Sequence, residues 1–460
     1  MRNKHNQPNY LAAVIFTAIT LAFAVVSLFH LIPPRPYGLS GDFRLFYSAS
    51  KLFWEGRNPY NLHALGIVEQ HSLHYSYLQS TPTAYVNPPI LAAILWPFTR
   101  LPYWDAYTAF VVLGIVLAGG ATWYLATGLG WRHPGILAGI TALSWFELLG
   151  LTEGQLDTYL LAILVGAIVF CWREHYLGAG LVMGLFWLKP DILWPAALFM
   201  GLVLLPHKRD LVRYLAGLAS TSICCVAVGV NFLPTWFHHI VSFGQNVGIQ
   251  PDLAGLPGLL GPARTSFGLS SGIHSWVTLT VITLAILTFI AIAWLIPKNA
   301  KWQRLDRRQQ FLWATSLPLG VWLLASPYVH TNDDLLSLPL FLLIVDQDAV
   351  LTRGRDALIG MAVVFALFVI WTAKLIPGIY VVLLLLILLG LLWMIQRHVD
   401  LPRLAAGACL AAAVTFPTVW SLHLAPVSAT SITVLAVVMA AGWRYHGWKT
   451  LPPHQYLGSG

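Results

Sequence analysis

The stretch that decides how the chain is read is Leu39-Ser-Gly-Asp-Phe-Arg-Leu-Phe-Tyr-Ser-Ala-Ser-Lys-Leu-Phe-Trp-Glu-Gly-Arg-Asn-Pro-Tyr-Asn61. It follows the first hydrophobic segment and is neither long nor apolar enough to cross a membrane itself. One acid, Asp42, stands ahead of an aromatic run that ends at Gly56. Gly41 and Asp42 sit where a helix would begin, and aspartate is a good helix-starting residue. Phe43, Phe46, Tyr47, Ser50, Phe53 and Trp54 recur at helical spacing, so one face is expected to lie on a bilayer or a protein wall. Taken alone, Asp42 reads most simply as the cap of a surface helix. What lies on either side of the stretch gives it a second reading.

The chain has 460 residues, 57% of them hydrophobic and only 10% charged. A soluble core does not need such a depletion of charge. Continuous runs rich in Leu, Ala and Val recur from end to end, which predicts an all-α polytopic membrane protein rather than a barrel of alternating strands. No composition break divides it, so residues 1–460 read as a single integral membrane domain. The segment from Tyr10 to Ile32 is too long for a signal-peptide core and reads as a retained helix. Cys171, Cys224, Cys225 and Cys409 lie in or at the ends of apolar runs, without CxxC spacing, and read as inert helix residues. The formal charge of +8 sits in short loops, where it sets orientation; nucleic-acid binding is not indicated.

Arg2 and Lys4 place the N-terminus in the cytoplasm by the positive-inside bias. Residues 33–102 then form a first extracytoplasmic loop with juxtamembrane or re-entrant helices, in a chain of roughly 12–14 crossings in all. The segment 88–100, bounded by prolines, is too short to be one of them. With that assignment each expected cytoplasmic loop carries Arg or Lys. The outer face collects Leu39–Asn87, Glu153–Asp157, Lys189-Pro-Asp191, a second large loop at 234–274, and Ser326–Asp334. Ionisable residues at span ends are costly in lipid, so a set gathered on one face is a candidate site.

Each cluster has an ordinary reading beside a functional one. Gln155 and Asp157 either cap a span at its positive end or offer acceptors to a hydroxyl-rich ligand. Lys189, beside Asp191 and the helix-breaking Pro190, is either half of an ion pair or a compact charge for a lipid phosphate. His330, near Asn332, Asp333 and Asp334, lies in a loop with capping residues or near a phosphate, since histidine titrates near neutrality. Tyr85-Val-Asn87-Pro-Pro89 is a turn signature. No HExxH, zinc-spaced cysteine pair, phosphate loop or GxSxG elbow is present, so neither a metal nor another cofactor is expected.

In order and spacing these pieces resemble a known family. Gly41-Asp-Phe43 with a helix ending Trp54-Glu-Gly-Arg-Asn-Pro-Tyr60 opens the match, and Tyr85-Val-Asn-Pro-Pro89 running to Pro97 and Leu101-Pro102 continues it. Gly154-Gln155 with Asp157, Gly184 to Lys189-Pro190, and Ser326-Pro327 with His330 and Asp333 complete it. The chain resembles glycosyltransferase family 87 over about residues 10–345. That resemblance implies a fold like that of the GT-C superfamily in the cell membrane, with the site on the extracytoplasmic face. It further implies inverting transfer of a sugar, usually mannose, from a polyprenyl-phosphate donor to a lipid-linked or glycolipid acceptor, without a cofactor. By position it makes Asp42 the general base, puts Lys189 and His330 near the donor phosphate, and puts Gln155 near the sugar. Tyr85, Asn87, Asp157 and Asp333 join the sugar or acceptor side; where the family often carries Asn, this chain has Asp157.

The chemistry agrees with that assignment. A departing lipid phosphate is already a stabilised anion, so transfer needs one base and no second acid, unlike glycoside hydrolysis with its two carboxylates. The alternative from another class is a polytopic transporter or lipid flippase. Such proteins carry their ionisable groups near the bilayer midplane on broken helices in related halves; here the polar groups gather at one face.

Overall fold

A computed structural model describes residues 41–73, 84–131, 134–142, 147, 150–151, 153–242, 276–295, 302–303, 305–326 and 331–344. The span expected at 10–32, those expected beyond 357, and Cys409 lie outside the described residues. Among the described residues every regular element is helical. An outer group comprises α1 (Phe43–Trp54), α2 (Leu62–Leu73), α3 (Pro89–Ile94) and α4 (Trp96–Thr99). The bundle that follows holds α5 (Tyr103–Gly128), α6 (Pro134–Ala142), α7 (Asp157–Trp172), α8 (Tyr176–Met183), α9 (Pro190–Leu204) and α10 (Lys208–Val228). Then come α11 (Leu233–Ser242), α12 (Trp276–Leu295), α13 (Arg307–Ala325) and α14 (Leu338–Ile344).

Proline and polar residues set the boundaries. Pro102 precedes α5, and Pro89 and Pro190 open α3 and α9, where a missing N–H costs nothing. The 26 residues of α5 span about 39 Å, more than the roughly 30 Å of a hydrocarbon core. Among the described residues two helices, α5 and α10, are long and apolar enough to cross a membrane, and α7, Tyr176–Leu188, α9 and Ile282–Trp294 are shorter apolar helices. Segment 88–100 folds as α3 and α4, of 6 and 4 residues, neither long enough to cross.

Close backbone contact builds the bundle. A Cβ on Gly180 would strike the carbonyl of Tyr214, and one on Gly217 would strike the carbonyl of Leu177. α8 and α10 therefore meet glycine to glycine, the close approach that small residues permit between membrane helices. Thr221 seals the contact through a hydroxyl bond to the Leu181 carbonyl (2.9 Å). Tyr214 reaches across to the Ala197 carbonyl on α9 (2.8 Å). On α9 and α13, Trp194 and Trp322 pack edge to face at 4.9 Å.

The aromatic helix α1 is enclosed by protein rather than laid on a surface. Phe43, Leu45, Phe46, Tyr47, Ser48, Ala49, Ser50 and Leu52 are all buried. Phe43 sits in a collar of Tyr47, Phe98, Tyr103, Tyr107 and Phe110. Trp54 alone among the run's apolar positions stands well out, over Trp96 at 5.5 Å. Hydrogen bonds from Tyr47 to the Leu101 carbonyl (2.9 Å) and from Trp54 to the Ala93 carbonyl (3.0 Å) tie α1 to the short helices beside it.

Gly217→Ile is expected to lower the thermal unfolding midpoint in detergent, at the cost of severe overpacking, ~3 kcal/mol. Gly120→Ala, where an added Cβ meets nothing within 4 Å, is expected to leave the midpoint unchanged or raise it, because alanine is the better helix former.

Candidate active site

The site is built on the turn that leads into α7. Gly154 has φ +72°, a conformation that side chains resist. The turn closes on itself through Gln155 N–H to the Gly150 carbonyl (2.7 Å) and Gly154 N–H to the Leu151 carbonyl (3.1 Å). A Cβ on Gly154 would strike the backbone of Phe43, and one on Gly41 would strike the carbonyl of Glu153. With no side chain between them, the two strands of chain touch, and Asp42 N–H donates to the Glu153 carbonyl at 2.6 Å.

That contact sets the position of Asp42. It stands at the N-cap of α1, but its side chain makes no capping hydrogen bond. Instead Gln155 Nε2 donates to Asp42 Oδ2 at 2.5 Å. The simple cap is thus overturned: the carboxylate faces a partner 113 residues away in the chain. The positive end of α1 still favours its charge.

A second polar group forms two residues on. Asp157 opens α7, Lys189 sits at the break between a short 3-10 turn (Gly184–Leu188) and α9, and Asp333 lies in the 3-10 turn Thr331–Ser337. Lys189 Nζ is 2.6 Å from Asp333 Oδ1 and 3.5 Å from Asp157 Oδ1. All three residues are buried. Burial works against the ammonium, but Asp333, Asp157 and Asp191 together hold Lys189 above the ordinary lysine range. Lys189 forms ion pairs, but with Asp157 and Asp333 rather than with its sequence neighbour Asp191. Asp191 contributes its backbone carbonyl to the Trp322 indole (2.5 Å).

Two acids outside the expected set belong to this neighbourhood. Glu153 is exposed to solvent. Crowding by protein, then repulsion from Asp42 and Asp157, pushes its carboxyl up to about 7. That shared repulsion puts Asp42 and Asp157 within electrostatic reach of one carboxylate. Glu147 is 1% exposed, and Thr158 Oγ1 lies 2.7 Å from each of its carboxylate oxygens. Its sequence signal was available: an acid inside an otherwise apolar run is a candidate for function by default.

The remaining expected residues are placed differently. Tyr85 is enclosed and gives its hydroxyl to the Pro88 carbonyl (3.0 Å), because the 85–89 turn buries that ring against Phe46 and Tyr60. The Asn87 carbonyl accepts from Tyr60 (2.8 Å), while Asn87 itself is half-buried. His330 lies outside the described residues. Among the described residues no group of three or more His, Cys, Asp or Glu is placed to hold a metal ion.

The sequence model of glycosyltransferase family 87 matches residues 85–327, more than half of the chain. The chain belongs to glycosyltransferase family 87. No curated protein and no solved structure matches it. As a family 87 member it is a glycosyltransferase, with a sugar donor and an acceptor as substrates, and its apolar helices make it a membrane protein. The matched span takes in Gln155, Asp157 and Lys189; Asp42, His330 and Asp333 fall outside it.

Removing Lys189 would leave two buried carboxylates without their cation. Lys189→Met is expected to destabilise the transferase by ~3–5 kcal/mol, and adding Asp333→Asn should restore part of that in a thermal melt. Glu153 titrates in the opposite sense to an ion-paired acid. Its folded-state value lies above the ordinary 4.5, so the folded enzyme binds the extra proton, and its contribution to stability is lost as pH rises through 7. Glu153→Gln is expected to raise the melting temperature at pH 8 and to leave it unchanged below pH 4.5.

Proposed function

We propose that this transferase moves mannose from a polyprenyl-phosphate donor to a hydroxyl of a lipid-linked or glycolipid acceptor, with inversion, on a GT-C-like scaffold. The observation that carries the reading is the Asp42–Gln155 contact at 2.5 Å. It joins the outer-loop acid to the turn entering α7, beside the one buried lysine cluster among the described residues. Asp42 takes the acceptor hydroxyl proton as general base, and the Gln155 amide keeps its carboxylate oriented and meets the sugar. An ammonium has three donors; Asp333 and Asp157 take two on Lys189, and the donor phosphate takes the third. His330 meets the same phosphate, and Asn87 lines the acceptor side.

This division follows from where charge moves. At inversion the acceptor oxygen loses a proton on one side of the sugar carbon while negative charge gathers on phosphate at the other. A positioned base contributes about 10²–10⁴-fold, and fixed cations near the leaving phosphate contribute further. The enzyme is multi-pass in the plasma membrane, with this chemistry on the extracytoplasmic side, where the basic-loop pattern puts residues 33–102. Membership of a transferase family displaces the transporter or flippase reading.

Asp42→Asn is expected to lower kcat at least about 10²-fold while donor binding and melting temperature stay near wild type. The assay is transfer from radiolabelled polyprenyl-phosphate-mannose in detergent. A near wild-type rate overturns Asp42 as base, and direct use of a nucleotide sugar overturns the donor.

A further inference from the structure

A different constellation lies at the far end of the bundle. α7 begins at Asp157 beside the site and runs 16 residues to Trp172, about 24 Å. α5 begins at Tyr103, against Phe43, and ends at Gly128. Those far ends, with the start of α13, enclose a pocket of about 240 Å³ lined by Trp123, Tyr124, Gly128, Trp172, Arg173 and Arg308 among others. It is therefore separated from Asp42 by roughly the thickness of a hydrocarbon core.

The pocket is built rather than incidental. Trp172 donates its indole N–H to the Arg308 carbonyl at 3.1 Å, which locks α7 to α13 and fixes the ring. That ring lies on Gly128, where an added Cβ would collide with it. Trp123 and Tyr124 form a wall and are 44% and 52% exposed. Arg173 and Arg308 are exposed at the rim, and among the described residues neither is paired with a carboxylate. Arg307, next in sequence, is instead bound to Asp210 at 3.1 Å. Of the nearby acids, Asp306 is engaged as the cap of α13, and exposed Glu174 follows Arg173.

Two guanidiniums lining a slot walled by tryptophan and tyrosine, at the end of membrane helices, suit a ligand that is anionic at one end and apolar at the other. Guanidinium forks match phosphate oxygens, and indole and phenol rings favour the headgroup level. Two α-helix ends and a third helix start supply the walls, and Val169 adds an apolar side chain to the lining. We propose that this pocket binds an anionic phospholipid of the leaflet opposite the Asp42 site. The basic loops make that the cytoplasmic leaflet, which is the anionic one. The bound lipid clamps α5, α7 and α13 at one end. At their other ends α5 packs on Phe43, α7 carries Asp157, and α13 holds Asp191 through Trp322.

The test is native mass spectrometry of the full chain in detergent, titrated with phosphatidylglycerol or phosphatidylcholine of identical acyl chains. Wild type is expected to prefer phosphatidylglycerol, and Arg173→Gln and Arg308→Gln each to weaken that preference about fivefold. Arg57→Gln, an exposed arginine of the outer group paired with Glu55, should leave it unchanged. If one of these variants fails to fold, the other carries the comparison, since both side chains are exposed. Equal binding of the two lipids by wild type, or a preference that survives in the arginine variants, overturns the proposal. So does displacement of the lipid by soluble glycerol phosphate at matched concentration, which would make this a site for a free anion.

Discussion

The hydrogen bond from Asp42 N–H to the Glu153 carbonyl is the constraint on which the rest of the site depends. It exists because residues 41–43 and 153–155 meet backbone to backbone, with Gly41 and Gly154 leaving out the Cβ atoms that would hold them apart. Gly154 also supplies the left-handed turn that reverses the chain into α7. One contact thus does two things: it seats the start of α1 in its aromatic collar, and it aims Gln155 at Asp42. Neither segment could bring its polar residue to that point alone. A helix cap would have satisfied Asp42 locally, at a cost in reach; the turn gives it a partner from another part of the chain.

The second constraint is electrostatic. Lys189 lies where three segments end, and each of Asp157 and Asp333 belongs to a different one. A buried ion pair contributes little net stability once desolvation is counted, yet losing one partner is costly. Its structural effect is therefore one of registry: α7, α9 and the Thr331–Ser337 turn are held to one arrangement because others strand a charge. Pro190 takes part by breaking the helix at the lysine, so that the ammonium is delivered from a chain end rather than from a helix flank.

Much of this was readable from residue types, and the remainder was not, for definable reasons. Apolar runs and prolines marked these segments as helical, since the length of an apolar run and a missing N–H are local properties. They could not show that α1 is enclosed on all sides, because Ser48 and Ser50 are polar in sequence and buried in fact. Polar and ionisable residues in loops marked Asp42, Gln155, Asp157 and Lys189, but pairing is a property of distance in space. Nothing in Lys189-Pro-Asp191 says that the lysine turns to Asp157 and Asp333 rather than to its neighbour Asp191. Tyr85 drew notice from a proline-rich turn that uses its hydroxyl for its own closure. Glu153 was marked only as part of an outer-face loop, because its raised carboxyl comes first from the protein packed around it and then from Asp42 and Asp157, all set by the fold rather than by neighbours in sequence.

The turn 153–157 is what relates the two constraints. Gln155 and Asp157 are separated by one residue, yet the first faces the acid of the outer loop and the second faces the buried lysine. An inverting transfer requires its base and its leaving group on opposite sides of one carbon, held at fixed separation while charge passes between them. A single short turn, rigid through its own backbone hydrogen bonds, is an economical way to fix that separation. A displacement of the turn carries the partners of Asp42 and Lys189 together, whereas residues on independent loops would move apart. The proposed reaction therefore depends on the glycines that hold the turn against α1 as well as on the charged groups themselves.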